Sequence, residues 1–596
     1  MLDKIYTIFR LGIVNVLYVI WYRVSLKIGF RKLSFKRRNF IITDDFFSVE
    51  YIPNLLGDND RITLFADADK IVSGHFRYYN YHWIQVGDVP NWFANPFIGR
   101  SYPNANKHWT ELADFDLIAG DIKNIWEASR FKWVMTLSRA YAASGEKKYI
   151  ERLNFLLKDW SINNPFNIGP NWKCGQEASI RIFNLLNSLQ FLGQHLKPSE
   201  SICQFVYYSL DRISRNIFYA IAQNNNHGTS ESAALYIGGL WLNSIDSVKY
   251  PRALTYSKSG RYWLENRVNK LISHSGSFSQ HSVNYHRLLL DTLSYCEFWR
   301  NKLNDKRFSN QFYKKSLAAT HWLWRVTDEI SGDAPNLGSN DGALLYNLIS
   351  FGYRDFRPSL AFANELFGAG VSFDGVKAID KLNSDGYTTL IGDNSWALVK
   401  WPFYKFRPSH SDALHFDLWY MGRNILCDCG TYSYNPVRDF GVSLSSVGFH
   451  NTVSFDGFDQ MPLISRFLKG GWLNTSYVSS ISTSEGGYKW SCSYKDNRGN
   501  IHIREIKVIE DTWIITDNLS GNFKSAIIGF NINYPDCLLN NGVLLTDSFS
   551  LTPPIDGESV LSDSFASLYY WEKHPIKRLN IEVYKPGIYT TVIKLI

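Results

Sequence analysis

The stretch Lys148–Trp160, KYIERLNFLLKDW, places Ile150, Leu153, Leu156, Leu157 and Trp160 at the three-and-four spacing of one buried helix face, and this fixes the character of the middle of the chain. The segment before it, DIKNIWEASRFKWVMTLSRAYAASG (Asp121–Gly145), reads the same way and stops at a glycine suited to a helix end. Beyond it, helical stretches are expected near residues 176–195, 200–222, 229–243, 256–273, 284–302 and 308–327, with shorter ones after 341. Their connections are short and rich in Asn, Gly and Ser. Successive helices therefore pair antiparallel, and about five such pairs close into a toroid whose inner helix ends surround a cleft. No fixed-period repeat points to a solenoid.

The period changes after Gly370. SWALVKW (Ser395–Trp401), LHFDLW (Leu414–Trp419), HNTVSFDG (His450–Gly457) and HIREIKVIEDTWIITDNL (His502–Leu519) alternate apolar and polar residues, as strands of half-buried sheets do. Many short strands without intervening helices favour a large antiparallel sandwich. At 596 residues the chain exceeds what one core serves. The expected organisation is multidomain α+β: a basic amphipathic leader at 1–40, a mixed capping region at 41–115, an incomplete (α/α) helical toroid at 116–370 and a β-sandwich at 371–596.

Hydrophobic residues make up 45% and charged ones 20%, as in ordinary globular proteins, whereas aromatics reach 16% and offer flat faces for sugar rings as well as core filling. The formal charge of +8 is misleading. Residues 1–38 hold nine Lys or Arg against the single acid Asp3, so the remaining 558 residues balance at 54 basic against 54 acidic. No global field draws nucleic acid or another polyanion to the body, and recognition of an acidic polymer has to be local.

The leader encloses an uncharged run, Leu11–Tyr22, whose twelve residues fall short of the ~20 that span a bilayer. No small-residue cleavage site follows it, and its flank is strongly basic. Two readings stay open: an interfacial helix with a polybasic tail resting on an anionic membrane surface, or a helix packed on the body with its charged face in water. The seven cysteines are too few and scattered for a disulfide framework and read as small core residues. Cys427 and Cys429 flank Asp428 in a strand, share a face and make poor disulfide partners.

Three clusters carry chemistry. In NNNHGTSESAALYIGGL (Asn224–Leu240), amides and an imidazole precede a helix expected to open at Thr229 or Ser230, where backbone donors and the helix dipole favour an anion such as a carboxylate. Plain helix capping explains the same residues. In GSFSQHSVNYHRLLLDTL (Gly276–Leu293), His281, Tyr285 and His286 sit within reach of one helix start and suit proton transfer, unless Tyr285 packs on the next helix. In the sandwich, RPSHSDALHFDLWYMGRNILCDCGTYSYN (Arg407–Asn435) and GFHNTVSFDGFDQM (Gly448–Met461) gather His410, Asp412, His415, Asp417, Asp428 and His450. Two imidazoles and a carboxylate make a zinc set, although strand histidines also serve as hydrogen-bonded core residues.

Taken in order with DIKNIWEASRFKW (Asp121–Trp133), NPFNIGPNWKCGQEASIR (Asn164–Arg181) and PNLGSNDGALL (Pro335–Leu345), these segments resemble the heparinase II/III family of polysaccharide lyases and lyase-like proteins, in particular those associated with bacterial surface polysaccharides. The resemblance implies a helical toroid joined to a β-sandwich with a groove between them. It also implies that Asn226 holds a uronate carboxylate, His227 assists proton transfer and Tyr285 acts as acid, base or both. Trp126, Glu127, Arg130, Asn171, Trp172, Glu177 and Arg181 match motifs lining the inner helices, where Glu127 with Arg130 and Glu177 with Arg181 are spaced to pair. His410, Asp428 and His450 match ligands of a structural Zn2+; no organic cofactor is expected. One departure is Pro408, in RPSHSD, where several relatives carry a further histidine.

The leading expectation is β-elimination on an acidic polysaccharide in the bacterial cell envelope, periplasmic or peripheral at the inner membrane. Two alternatives remain: a non-catalytic glycan-binding or assembly factor at the membrane, and a glycoside hydrolase using Asp412 and Asp417.

Overall fold

The computed structural model describes residues 2–50, 58–113, 116–345, 351–371, 382–434, 443–465, 467–484 and 486–596. Phe115, Asn435 and residues 346–350 and 372–381, on which parts of the expected boundaries, motifs and short helices fall, lie outside them.

Helices Lys132–Ser144, Gly175–Phe191, Asn226–Ile245, Val283–Lys302 and Arg357–Phe367 pack one against the next, and Lys147–Asn163, Glu200–Ser214, Ala253–Leu271 and Asn310–Arg325 cover them from outside. The result is an incomplete (α/α) toroid. An outer helix such as Lys147–Asn163 buries Ile150, Leu153, Leu157 and Trp160 and turns Glu151 and Lys158 to water. An inner helix such as Val283–Lys302 is buried on nearly every side over its first fifteen residues, because neighbours meet it all round. Gly239 and Gly260 let helices Asn226–Ile245 and Ala253–Leu271 touch backbone to backbone; a Cβ on Gly260 would lie 2.3 Å from the Tyr236 nitrogen.

One expectation changes. Residues 121–145 do not form one helix: Lys123–Trp126 passes into a 3-10 turn at Glu127–Arg130, and Phe131 adopts a left-handed φ of 63° before Lys132–Ser144 begins. Asn184 stabilises this break by donating to the Arg130 carbonyl at 2.6 Å. The capping region holds a helix, Asp58–Val72, and a hairpin, His75–Tyr78 with His82–Gln85.

The sandwich consists of two nine-stranded sheets whose pairings are antiparallel throughout the described residues. Ile501–Ile509 and Thr512–Ser520 alternate faces residue by residue and send Ile506, Val508, Trp513 and Ile515 inward against Val399, Phe416, Ile528 and Ile581 of the other sheet. Tyr570 ties the sandwich to the toroid by donating to Asp121 at 2.6 Å, and Asn336 donates to the Ser567 carbonyl at 2.8 Å.

The leader forms helices Leu2–Leu11, Ile13–Lys27 and Phe30–Ser34, packed on the body. Tyr22 stacks on Tyr219 with centroids 3.7 Å apart, buried Arg31 donates to Asn216, and Arg10 reaches the Tyr404 carbonyl of the sandwich. Outward it turns an apolar stripe, Ile13, Leu17, Val24 and Ile28, with Arg23, Lys27, Lys36, Arg37 and Arg38 exposed around its C-terminal end.

Candidate active site

Between toroid, sandwich and leader lies a cleft of about 1270 Å³. Among the described residues, eight Lys or Arg side chains and four carboxylates line it, so a chain whose body is charge-balanced still presents a cationic groove.

Helix Asn226–Ile245 opens into this cleft. Its cap is Asn225, whose side chain accepts from the His227 backbone N–H at 3.1 Å, rather than Thr229 or Ser230; three consecutive asparagines offer the cap, and the earliest that lets the helix follow takes it. Asn226 and His227 thus occupy the first turn, where the helix dipole is positive. Gln280 fixes Asn226 by accepting from its backbone N–H at 2.8 Å. His227 Nδ1 lies 3.2 Å from Glu231 Oε1, one turn on, and 4.0 Å from Cys174 Sγ. Burial disfavours the imidazolium, but Cys174 and Glu231 outweigh it and push the pKa of His227 up to about 10. Cys174 is therefore a half-buried cleft residue and not a core filler.

Tyr285 comes from helix Val283–Lys302, capped by Ser282, whose hydroxyl accepts from the Tyr285 N–H at 3.1 Å. The phenol lies at the cleft wall, within electrostatic reach of Asp341 and Tyr434. Burial, reinforced by Asp341 and Tyr434, raises its pKa well above the usual tyrosine range, so it stays a neutral donor at neutral pH. Burial also works against the Asp341 carboxylate, but Lys123, its ion-pair partner, and Arg130 outweigh it and keep Asp341 ionised. His286 points elsewhere: it stacks on Trp322 and shares a hydrogen bond with the Ala319 carbonyl at 2.8 Å. His281 is buried edge-on to Tyr404.

The residues matched to the inner helices divide into two groups. Trp126, Arg130 and Glu177 reach the cleft, and Arg130 grips Glu177 through two bonds of 2.8 Å while also holding Glu127 at 2.6 Å. Glu127 lies buried behind this wall, accepting from Lys132 and from the Tyr79 backbone. Arg181 does not pair with Glu177; it lies between Trp160 and Trp172 and donates to the Asn171 carbonyl at 2.8 Å. Asn171 and Trp172 are fully buried with it.

Across the cleft, His410, Asp428 and His450 bring their ligand atoms within 4.8 Å of one another. His450 Nδ1 is 2.7 Å from Asp428 Oδ2, while His450 Nε2 and His410 Nδ1 are buried without a hydrogen-bond partner. Two orphaned imidazole nitrogens beside a carboxylate held well below its usual range fit a divalent cation. Asp412 and Asp417, the hydrolase alternative, lie inside the sandwich, where Asp412 accepts from Tyr404 and Asp417 from Trp419. Pro408 is packed, and its neighbour Arg407 presents its guanidinium to the cleft.

Asp341, Tyr434, Arg407 and Cys174 are cleft residues to which the sequence assigns no role. Asp341 sits inside the motif PNLGSNDGALL, and a lone acid in an Asn/Gly-rich loop is the signal that marks it.

The family described as Heparinase II/III N-terminus matches residues 63–326, and Heparinase II/III-like, C-terminal matches residues 376–562. A heparin-sulfate lyase of Bacteroides stercoris is 22% identical over 448 residues, 69% of this chain, and the chain spans 63% of that relative's length. The structure of a heparinase III superposes with a TM-score of 0.65 at 15% identity, covering 98% of this chain and 92% of that one. The heparan sulfate lyase HepC of Pedobacter heparinus gives 0.54 at 15%, covering 98% and 88%. These structures share the toroid-plus-sandwich fold. With both halves matched in the order in which the two domains occur, the chain belongs to the heparinase II/III-like family.

Proposed function

We propose that this chain is a polysaccharide lyase that cleaves a uronate-containing glycan by β-elimination, in the metabolism of an acidic polysaccharide of the bacterial cell envelope. The observation that carries the reading is one cleft in which Asn226 and His227, at a positive helix end, stand with Tyr285 and the ionised Asp341 beside it.

A C5 proton is only weakly acidic, so the adjacent carboxylate must be neutralised as charge builds on it. The Asn226 amide, the His227 imidazolium and the Arg407 guanidinium are the cleft groups suited to that task. Tyr285 and Asp341 act as a relay. As Tyr285 takes the C5 proton, its own proton passes to Asp341. The C4–O4 bond then breaks, leaving a C4–C5 double bond, and Tyr285 protonates the departing oxygen while recovering the proton from Asp341. No water is added. The lyases among the chain's relatives support the reaction class, and the cationic groove supports an acidic polymer as substrate. Among divalent cations, Zn2+ suits His410, Asp428 and His450, where it would brace the sandwich wall of the cleft.

The test is mass analysis of products from a panel of uronate-containing glycans. Lyase action gives fragments whose new non-reducing ends are unsaturated. Fragments carrying an added water instead would make the protein a hydrolase, and bound but intact glycan would make it a binding factor.

A further inference from the structure

Helix Ile13–Lys27 has two apolar faces, and the body uses only one. On the inner face Asn15, Val16, Val19 and Leu26 line the cleft, and Tyr22 is fixed on Tyr219. On the opposite face Ile13, Leu17, Val24 and Ile28 follow one another at helical spacing, with Ile20 at the cleft rim, and all are exposed. Phe9, Val14 and Trp21 widen the stripe, and Phe30 and Leu33 extend it. The outer toroid helices turn charged residues such as Glu151 and Lys158 to water, whereas no charge interrupts Leu11–Tyr22. A patch this continuous marks an interaction surface.

Charge decides what covers it. Arg23, Lys27, Lys36, Arg37 and Arg38 are exposed around the C-terminal end of the stripe. The leader of a second copy docked through the same face would offer apolar residues and more cations but, with Asp3 its single acid, no anionic match for the cluster. An anionic bilayer satisfies both features at once, taking the apolar side chains among its acyl chains and the cations among its headgroups. No helix among the described residues is long and apolar enough to cross a membrane, so the contact lies in the surface plane.

We infer that the outward face of the leader is a docking surface for an anionic lipid bilayer, and that the same helix, by lining the cleft with its inner face, holds the cleft mouth at the membrane. This goes beyond the lyase reading and is tested without turnover. The full chain is co-sedimented with phosphatidylglycerol–phosphatidylcholine vesicles and with phosphatidylcholine vesicles, alongside the triple variant Phe9→Glu, Leu17→Glu, Val24→Glu. Glutamate keeps the helix propensity, and none of the three positions lines the cleft.

The wild type is expected to pellet with the anionic vesicles and far less with the neutral ones. The triple variant should lose about tenfold or more in bound fraction with an unchanged melting temperature. Wild type left in the supernatant with anionic vesicles overturns the inference, as does a triple variant that binds equally well. So does sedimentation velocity showing a dimer that the triple variant abolishes while neither protein binds vesicles.

Discussion

Asn226, His227, Tyr285 and Asp341 on the toroid wall all reach the cleft, whereas of the sandwich groups only His410 does, and Asp428 and His450 lie behind it with their polar atoms turned toward one another and toward His410. The toroid groups come from helix starts and a loop, and each has a neighbour able to share a proton: Glu231 and Cys174 for His227, Asp341 and Tyr434 for Tyr285. Of the sandwich groups, His410 is as exposed as Asn226, at 4%, whereas Asp428 and His450 are fully enclosed, and two imidazole nitrogens are left unanswered. Proton transfer needs groups a substrate can reach, while ion binding needs groups that water cannot. On the lyase reading proposed above, the difference separates a place for chemistry from a place for bracing, and it can be broken from either side.

The largest effect should come from Tyr285→Phe, which removes the proton carrier and nothing else. Its kcat should fall by about 10³–10⁴-fold with an unchanged melting temperature, and more than a tenth of wild-type turnover would take Tyr285 out of the mechanism. Asp341→Asn preserves shape but cannot accept the relayed proton, so kcat should drop about 100-fold while KM barely moves. A rise in KM alone would make Asp341 a binding residue.

His450→Ala strikes the other wall. It strands the buried Asp428 carboxylate and should cost about 3 kcal/mol of stability, read by denaturant unfolding, together with loss of zinc by elemental analysis. Equal stability and metal content would dissolve the contrast between the walls.

The smallest effect belongs to Cys174→Ser. The folded His227 pKa lies above its unfolded value of 6.5, so its stabilising charge is complete below about pH 6.5 and fades as pH climbs toward 10. Removing the thiol that helps raise it should move the alkaline limb of kcat/KM to lower pH. An unmoved limb would mean that another group sets it.

What the sequence reveals follows from where each pattern meets water. Lys147–Asn163 is legible because one face is wet and the other dry, and the strands around His502–Leu519 are legible for the same reason. Helix Val283–Lys302 shows no such stripe, being buried on nearly all sides, and only its length and bounding turns betray it. The kink at Phe131 is illegible because it depends on Arg130 meeting Glu177 and Asn184 from another helix. Arg130 keeps its expected partner Glu127 but also takes Glu177, leaving Arg181 to Trp160 and Trp172: spacing along one helix competes with contacts that only packing creates. Asn226, His227 and Tyr285 are marked by sequence motifs, but Asp341 acquires its role only when its loop folds against Tyr285. The leader's basic charge and short apolar run are plain in the sequence, whereas its two apolar faces emerge only once the body covers one of them.

The most direct measurement is ultraviolet absorbance of newly formed unsaturated ends when the protein is incubated with a uronate-rich polysaccharide and with the same polymer after its carboxylates are reduced to alcohols. If Asn226, His227 and Arg407 neutralise a uronate while Tyr285 and Asp341 move its C5 proton, absorbance rises with the native polymer and stays flat with the reduced one. Equal chain cleavage of both polymers, read by size-exclusion chromatography, would contradict that mechanism, and fragmentation of the native polymer without any rise would contradict elimination itself.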